Sequence, residues 1–347
     1  SIYEGDHFGE VKWAKYGSEM IDQRFYDNSG TKTDFNFFAK ADVTLNDQWS
    51  LFGDLQYRTV NYEVSGVDEG PVSLEFKDQN NFFNPKFGVN YFLDKSSFYL
   101  SYAKGHKEPK RADYLANNDV KPESLNDFEL GWHYHTNGFR LKTNLYYMNY
   151  KDQLVLTGNI DDVGNPIADN IGKSYRFGLE IEAIIQVMKK LTWQPNLAFS
   201  TNKNIDKYDD FDGQLTDFGN TDLAFSPAFV AGSQIQYQPL THLSISLLSK
   251  YVGEQYMSNI QLDASKLDAY FTNDLQVSYE IMTNKLFKSI VFSGLVNNLF
   301  NVKYVSNGYF YTYDDTWTDP DRVTTITGAG YYPQAEINFL VGVNFKF

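Results

Sequence analysis

Residues 332–347 read YPQAEINFLVGVNFKF. Ala335, Ile337, Phe339, Val341, Val343, Phe345 and Phe347 form one parity, and all are apolar. Glu336, Asn338, Leu340, Gly342, Asn344 and Lys346 form the other, mostly polar or small. Successive side chains of a strand point to opposite faces, so this alternation predicts a strand with one greasy and one wet face. A soluble sandwich seldom finishes on a long strand with phenylalanines at its last apolar positions. An outer-membrane barrel does, because its last strand pairs with its first.

Working outward, the whole chain carries the same signal. Aromatic residues make up 17% of it, with 26 Tyr and 28 Phe, and no stretch is apolar for long enough to make a spanning helix. A transmembrane β-barrel has this profile, since only alternate residues face lipid and aromatic girdles mark both interfaces. The net charge of −14 argues against a nucleic-acid partner, which selects for a basic face. There are no cysteines, which excludes disulfides and thiolate metal sites.

Thirteen segments read as strands: 32–45, 49–63, 82–93, 97–105, 124–136, 139–155, 171–187, 191–204, 223–238, 243–256, 266–282, 289–303 and 332–347. Phe35, Phe37, Ala39, Ala41, Val43 and Leu45 oppose Asp34, Asn36, Lys40, Asp42 and Thr44. Tyr175, Phe177, Leu179, Ile181, Ala183, Ile185 and Val187 oppose Arg176, Gly178, Glu180, Glu182 and Gln186, which places both glutamates toward the lumen. Most are longer than the ~9–11 residues a tilted strand needs to cross the hydrocarbon.

The connections alternate. Short ones lie at 46–48, 94–96, 137–138, 188–190, 239–242 and 283–288, and Asn137-Gly138 suits a type I′ hairpin turn. Long ones lie at 64–81, 106–123, 156–170, 205–222, 257–265 and 304–331. Short periplasmic turns and long outer loops are the membrane-barrel arrangement. The final strand follows a long loop, so it runs inward and carries Phe347 to the periplasmic side. Bacterial single-chain barrels have even strand numbers, so a further upward strand is expected before residue 17. SIYEGDHFGEVKWAKYG (1–17) reads as the outer end of such a strand entering a loop, and the chain as a piece whose amino-terminal part is missing.

Four stretches, in order, resemble the TonB-dependent outer-membrane receptor family. Ser101-Tyr102-Ala103-Lys104-Gly105-His106-Lys107-Glu108-Pro109 is similar to its strand-to-loop transition. Lys121-Pro122-Glu123, leading to Glu129-Leu130-Gly131, resembles its proline–glutamate strand opening. Asn170-Ile171-Gly172, leading to Gly178-Leu179-Glu180, and Asn298-Leu299-Phe300-Asn301 with Tyr304 resemble its later motifs. The likeness runs from about residue 32 to the end.

That resemblance implies an all-β, transmembrane, antiparallel up-and-down barrel, of which residues 1–347 would be the carboxy-terminal 13–14 strands of a 22-strand wall. It implies active uptake of a scarce ligand: an iron complex such as a siderophore or haem, or cobalamin. A glycan importer, a passive porin and an adhesive barrel are the alternatives. Implied partners are the TonB complex, a plug domain, outer-membrane lipid and lipopolysaccharide, the barrel-assembly machinery reading Phe347, and a surface lipoprotein in the glycan case. No cofactor or metal is expected.

Ligand-contact candidates lie in the loops. Tyr309, Phe310, Tyr311, Tyr313 and Trp317, beside Asp314, Asp315, Asp319 and Asp321, could stack on a flat ligand or a sugar, or pack on one another. His106, Lys107, Lys110, Arg111 and Tyr114 could hold an anion, a siderophore or a phosphate. Asp206, Asp209, Asp210, Asp212 and Asp217 invite a calcium reading, but their spacing is not that of an EF-hand. His133 and His135 share a strand face beside the Asn137-Gly138 turn, at the periplasmic rim. No nucleophile elbow, zinc-protease, P-loop or dinucleotide fingerprint occurs, so catalysis is not expected.

Overall fold

The computed structural model describes residues 1–67, 73–117, 119–160, 166–283 and 286–347. Fourteen strands form one antiparallel sheet whose spatial order is the chain order. They are β1 (Ile2–Glu10), β2 (Arg24–Thr44), β3 (Trp49–Val67), β4 (Ser73–Phe92), β5 (Ser96–Lys107), β6 (Glu123–Thr136) and β7 (Phe139–Lys151). Then follow β8 (Lys173–Met188), β9 (Leu191–Ile205), β10 (Phe229–Leu240), β11 (Leu243–Val252), β12 (Tyr270–Met282), β13 (Ser289–Asn297) and β14 (Asn338–Lys346). This is the up-and-down wall expected from the alternation, and β1 supplies the upward strand that parity required.

Register makes one face continuous. Leu100 pairs with Leu130, Leu130 with Leu145, Leu145 with Leu179, Leu179 with Phe199 and Phe199 with Phe229. One residue along, Ser101 pairs with Glu129, Glu129 with Tyr146, Tyr146 with Gly178 and Gly178 with Ser200. The first row is a lipid-facing belt and the second a polar inner wall. A one-residue slip would exchange them on a strand, so burial in lipid fixes the register.

The distribution of burial is that of a membrane wall. Phe37, Phe339 and Val341 are 64%, 75% and 77% exposed to the surroundings of the chain. The buried apolar side chains, among them Val60, Val64, Phe82, Tyr114, Leu223, Met257 and Phe310, sit at the outer ends of strands and in outer loops. Lipid covers the belt, so the protein's own packed core is needed only where lipid stops.

That is where the structure departs from the expected boundaries. Residues 64–67 and 73–81, expected as loop, continue β3 and β4 as a long hairpin paired through Ser65–Glu75 and Val64–Phe76. The segments 156–170, 205–222 and 304–331 contain hairpins of their own: Leu154–Ile160 with Pro166–Asn170, Lys207–Phe211 with Gln214–Gly219, and Val305–Asp315 with Thr324–Pro333. Consequently β13 ends at Asn297 rather than 303, and β14 begins at Asn338 rather than 332. Pro85 lies inside β4, but there the pairing with β5 begins only at Lys86, so the missing N–H costs no ladder bond on that side.

The asparagines of the 296–304 stretch fasten this junction. Asn298 and Asn301 take the left-handed conformation (φ 50° and 52°), which asparagine tolerates better than most residues. The Asn298 amide donates to the carbonyls of Val302 and Ala335, its Oδ1 accepts from the Val302 N–H, and its own N–H donates to Asp274. Asn301 Oδ1 accepts from the Ile337 N–H. Side chains thus satisfy the backbone where the ladder stops and tie the top of β13 to the entry of β14.

Candidate functional site

The outer loops converge in two packed groups. The first covers the inner face of the β3–β4 extension. Glu108 accepts from both Arg58 terminal nitrogens (2.8 Å each) and from Lys32 Nζ (2.8 Å), while Arg58 Nε donates to Asp34 (3.0 Å). His106 stacks on Phe82 and its Nδ1 lies 2.7 Å from Asn84 Oδ1. Burial alone would raise the Glu108 carboxyl, but the bonds from Arg58 and Lys32 prevail and hold it down to about 2. This carboxylate pins the loop to the wall just before the short helix Arg111–Ala116.

Of this loop's candidates, Lys110, Arg111 and Tyr114 separate. Tyr114 is buried, stacked on Phe76 (4.8 Å) and near Tyr62, and its hydroxyl donates to Asp78. Desolvation, then the Asp78 bond, pushes that phenol well above its ordinary range. Its ring therefore holds the loop down rather than facing a ligand. Lys110 is exposed, with its backbone N–H donating to Asp113 (2.7 Å). Arg111 is half-buried, and its Nη2 has no hydrogen-bond partner among the described residues.

A pH dependence follows. The Glu108 carboxyl is depressed from 4.5 to about 2 in the folded chain. A depressed carboxyl contributes stability above its unfolded pKa and loses it as pH falls through the folded one. Docking of the 108–117 segment is thus expected to weaken between about pH 4.5 and 2. Hydrogen exchange over peptides spanning 105–116, corrected for intrinsic rates, should rise across that interval. Glu108→Gln should show the raised exchange already at neutral pH, and equal protection in both proteins would refute the latch.

The second group joins three loops that are distant in sequence. Met257, Ile260, Leu267 and Phe310 form a buried cluster, with Phe211, Phe218, Phe225, Leu262, Val305 and Ala329 packed on it. Around it runs a polar lattice. Asn204 donates to Thr221 (2.9 Å), Thr221 to the Asn259 carbonyl (2.6 Å), and Lys203 pairs with Asp222 (2.6 Å). The acidic run is consumed in the same way. Asp212 exchanges hydrogen bonds with Thr325 (2.7 and 2.8 Å), Asp217 accepts from the Gly219 N–H, and Asp206 and Asp212 occupy left-handed turn positions. No group of three metal-ligating side chains occurs among the described residues.

Beside this cluster, four outer loops line a partly open polar cavity of about 250 Å³. Asp169 and Asn170 come from one, Lys207 and Asp209 from the next, Ser258 and Asn259 from the third, and Phe310 and Thr312 from the last hairpin. Lys207 pairs with Asp209 at 3.0 Å, and Asp169 accepts from Asn117 at 3.0 Å. Both charge signs and several amide and hydroxyl groups therefore face one space. Of its lining residues, Asp209 and Phe310 are candidates in the sequence, and Asn170 and Ile171 stand in a family-like motif. No local signal marks the others as a shared site, because the four segments span 155 to 312 and meet only in the fold.

The last hairpin has two unlike faces. Gly308, Phe310 and Thr312 turn toward the cluster and the cavity, and a Cβ on Gly308 would stand 2.6 Å from Met257 Sδ. Tyr309, Tyr311 and Tyr313 alternate with them, and Trp317 follows at the tip. Their rings are near-parallel, with centroids 6.3, 6.4 and 6.3 Å apart in turn. At the inner end of the chain, Phe347 is exposed and its ring lies 5.0 Å from that of Phe287.

Comparison with known proteins agrees with the wall. A family model described as TonB dependent receptor-like, beta-barrel, matches residues 5–299. A search of curated proteins finds no match. Among solved structures, the siderophore receptor PiuA from Acinetobacter baumannii is 16% identical with a TM-score of 0.70, over 94% of this chain and 44% of that one. The ferric-catecholate import receptor Fiu from E. coli, in its closed form, is 17% identical with a TM-score of 0.68, over 94% and 46%. The ferric yersiniabactin uptake receptor FyuA from Yersinia pestis is 20% identical with a TM-score of 0.63, over 93% and 47%. At these identities the likeness is one of fold, and the chain spans about half the length of each.

Proposed function

The chain belongs to the TonB-dependent receptor-like β-barrel family of the bacterial outer membrane, and from that premise we propose that it forms the wall and outer mouth of an active receptor for a scarce iron complex. The observation that carries this reading is the convergence of four outer loops on one polar cavity. A passive pore has no need of such a roof, whereas a receptor that must hold a dilute ligand before transport does.

The chemistry suits part of an oxygen-rich chelate. A space of about 250 Å³ admits one polar arm of a ligand rather than a whole ferric siderophore. Lys207, Asp209 and Thr312 line it with an ammonium, a carboxylate and a hydroxyl that can meet the carbonyl and hydroxyl groups of a ligand. Lys110 and Arg111, on the neighbouring loop, would neutralise anionic oxygens at the rim. Tyr114 would act by positioning that loop. Transport itself would draw on the TonB complex and a plug domain, and Phe347 would serve the assembly machinery.

The test is uptake. Deleting the gene should slow growth under iron limitation and reduce accumulation of radioactive iron from at least one member of a panel of ferric siderophores and haem. A protonophore should abolish the difference. Undiminished iron uptake from every complex would refute the reading, and loss of cobalamin or oligosaccharide uptake instead would reassign the cargo.

A further inference from the structure

We propose that the outward face of the 305–333 hairpin is a binding strip for a linear, neutral glycan chain supplied from the medium, separate from the cavity on its other face. Tyr332, Tyr309, Tyr311 and Tyr313 share that face through the pairings of Asn307 with Tyr332, Tyr309 with Gly330, Tyr311 with Gly328 and Tyr313 with Ile326. Trp317 continues the row, its backbone N–H donating to Asp315 Oδ1 (3.1 Å) in the tip turn. Tyr332 lies 6.0 Å from Tyr309, so five aromatic side chains form one file.

Two features point to what this file would hold. First, the rings are seated. A Cβ on Gly330 would stand 2.3 Å from the Tyr309 ring, and one on Gly328 would stand 2.4 Å from the Tyr311 ring. The two rings therefore lean over glycines across the hairpin, yet Tyr311 remains 39%, Tyr313 45% and Trp317 70% exposed. Rings held in place with open surface are what the C–H faces of sugars need for stacking. Secondly, the setting is acidic and narrow. Asp314, Asp315, Asp319 and Asp321 stand against Arg322 alone between 314 and 322. That balance repels phosphorylated or carboxylated partners and offers acceptors to sugar hydroxyls. The file is one ring wide and exposes roughly 400–500 Å² of aromatic surface. A stable protein interface takes about 800 Å² per partner, so the strip fits an extended chain better than a folded surface.

The strip does not depend on which cargo crosses the barrel, and binding is measured apart from uptake. The full-length receptor in detergent would be applied to an array of neutral oligosaccharides of two to eight sugars, phosphorylated core oligosaccharides and purified lipopolysaccharide. Neutral chains of four or more sugars should be retained, and disaccharides should not. Tyr311→Ala, Tyr313→Ala and Trp317→Ala should each weaken the best neutral chain by about threefold to tenfold. Gly328→Val keeps every ring but unseats Tyr311, and should weaken it similarly. Retention of no neutral chain, retention of the phosphorylated ligands instead, or equal binding by all four variants would overturn the proposal. Capture of a protein by the same face would overturn it too.

Discussion

Phe310→Ala is expected to cost the outer loop assembly about 3–5 kcal/mol, the usual range for emptying a buried phenylalanine site. Phe310 is 1% exposed and belongs to the cluster with Met257, Ile260 and Leu267. Its neighbours are fixed by hairpin ladders and by the Asn204–Thr221–Asn259 lattice, so they cannot collapse fully into the space. The loss should be local. Hydrogen exchange should accelerate over 207–219, 255–267 and 305–315, while the belt strands keep their protection and the protein keeps its resistance to unfolding in cold detergent. Iron uptake should fall with the loops, because Phe310 also lines the cavity. Unchanged exchange in those three segments would show that the cluster does not hold the mouth together.

Leu179→Arg should have a comparable effect by a different route. Leu179 stands in the belt between Leu145 and Phe199. A charge on the lipid face near the bilayer midplane costs about 2–4 kcal/mol in a barrel of this kind. The opposite parity should tolerate the same change, so Glu182→Arg, on the exposed inner wall, should fold nearly as well as wild type. Folding into lipid vesicles across a urea series, read as the heat-modifiable fraction on gels, separates the two. Equal midpoints for the two variants, or the reverse order, would place the faces wrongly.

The wall was legible because period-2 alternation is local. The parity of Phe35, Phe37 and Ala39 against Asp34, Asn36 and Lys40 needs no knowledge of neighbours, and the short turns announce themselves by composition. Asn137-Gly138 does turn, but only Gly138 takes positive φ (89°), so it is not the type I′ turn that the pair favours; Asn46 Oδ1 accepts from the N–H groups of Gln48 and Trp49. The same rule failed above the membrane. Residues 73–81 read SLEFKDQNN and look like loop because no lipid imposes a greasy face there. They are strand because the β3 ladder continues and a loop packs over Tyr62 and Phe76.

The candidate site was less legible. Tyr114 lies within a run of basic residues, and proximity in sequence suggested a shared ligand. Packing instead turned its ring inward against Phe76 and left Lys110 outside. The aspartates of 205–222 read as a solvated acidic loop rather than an ion site, and the fold uses Asp212 and Asp217 for turns and loop ties. The file of Tyr309, Tyr311 and Tyr313 was visible as a pattern, but its two unlike faces were not.

By itself the sequence determined a membrane wall: its strands, and the greasy and polar faces that alternate along each. Those properties depend on residues one or two positions apart and on a solvent, lipid, that acts alike on every strand. Only the tertiary structure decided which loops meet, that Glu108 is held by Arg58 and Lys32, and that Asp169, Lys207, Asn259 and Thr312 face one cavity. Those contacts join residues tens of positions apart through the particular packing of side chains, and no periodicity along the chain encodes them.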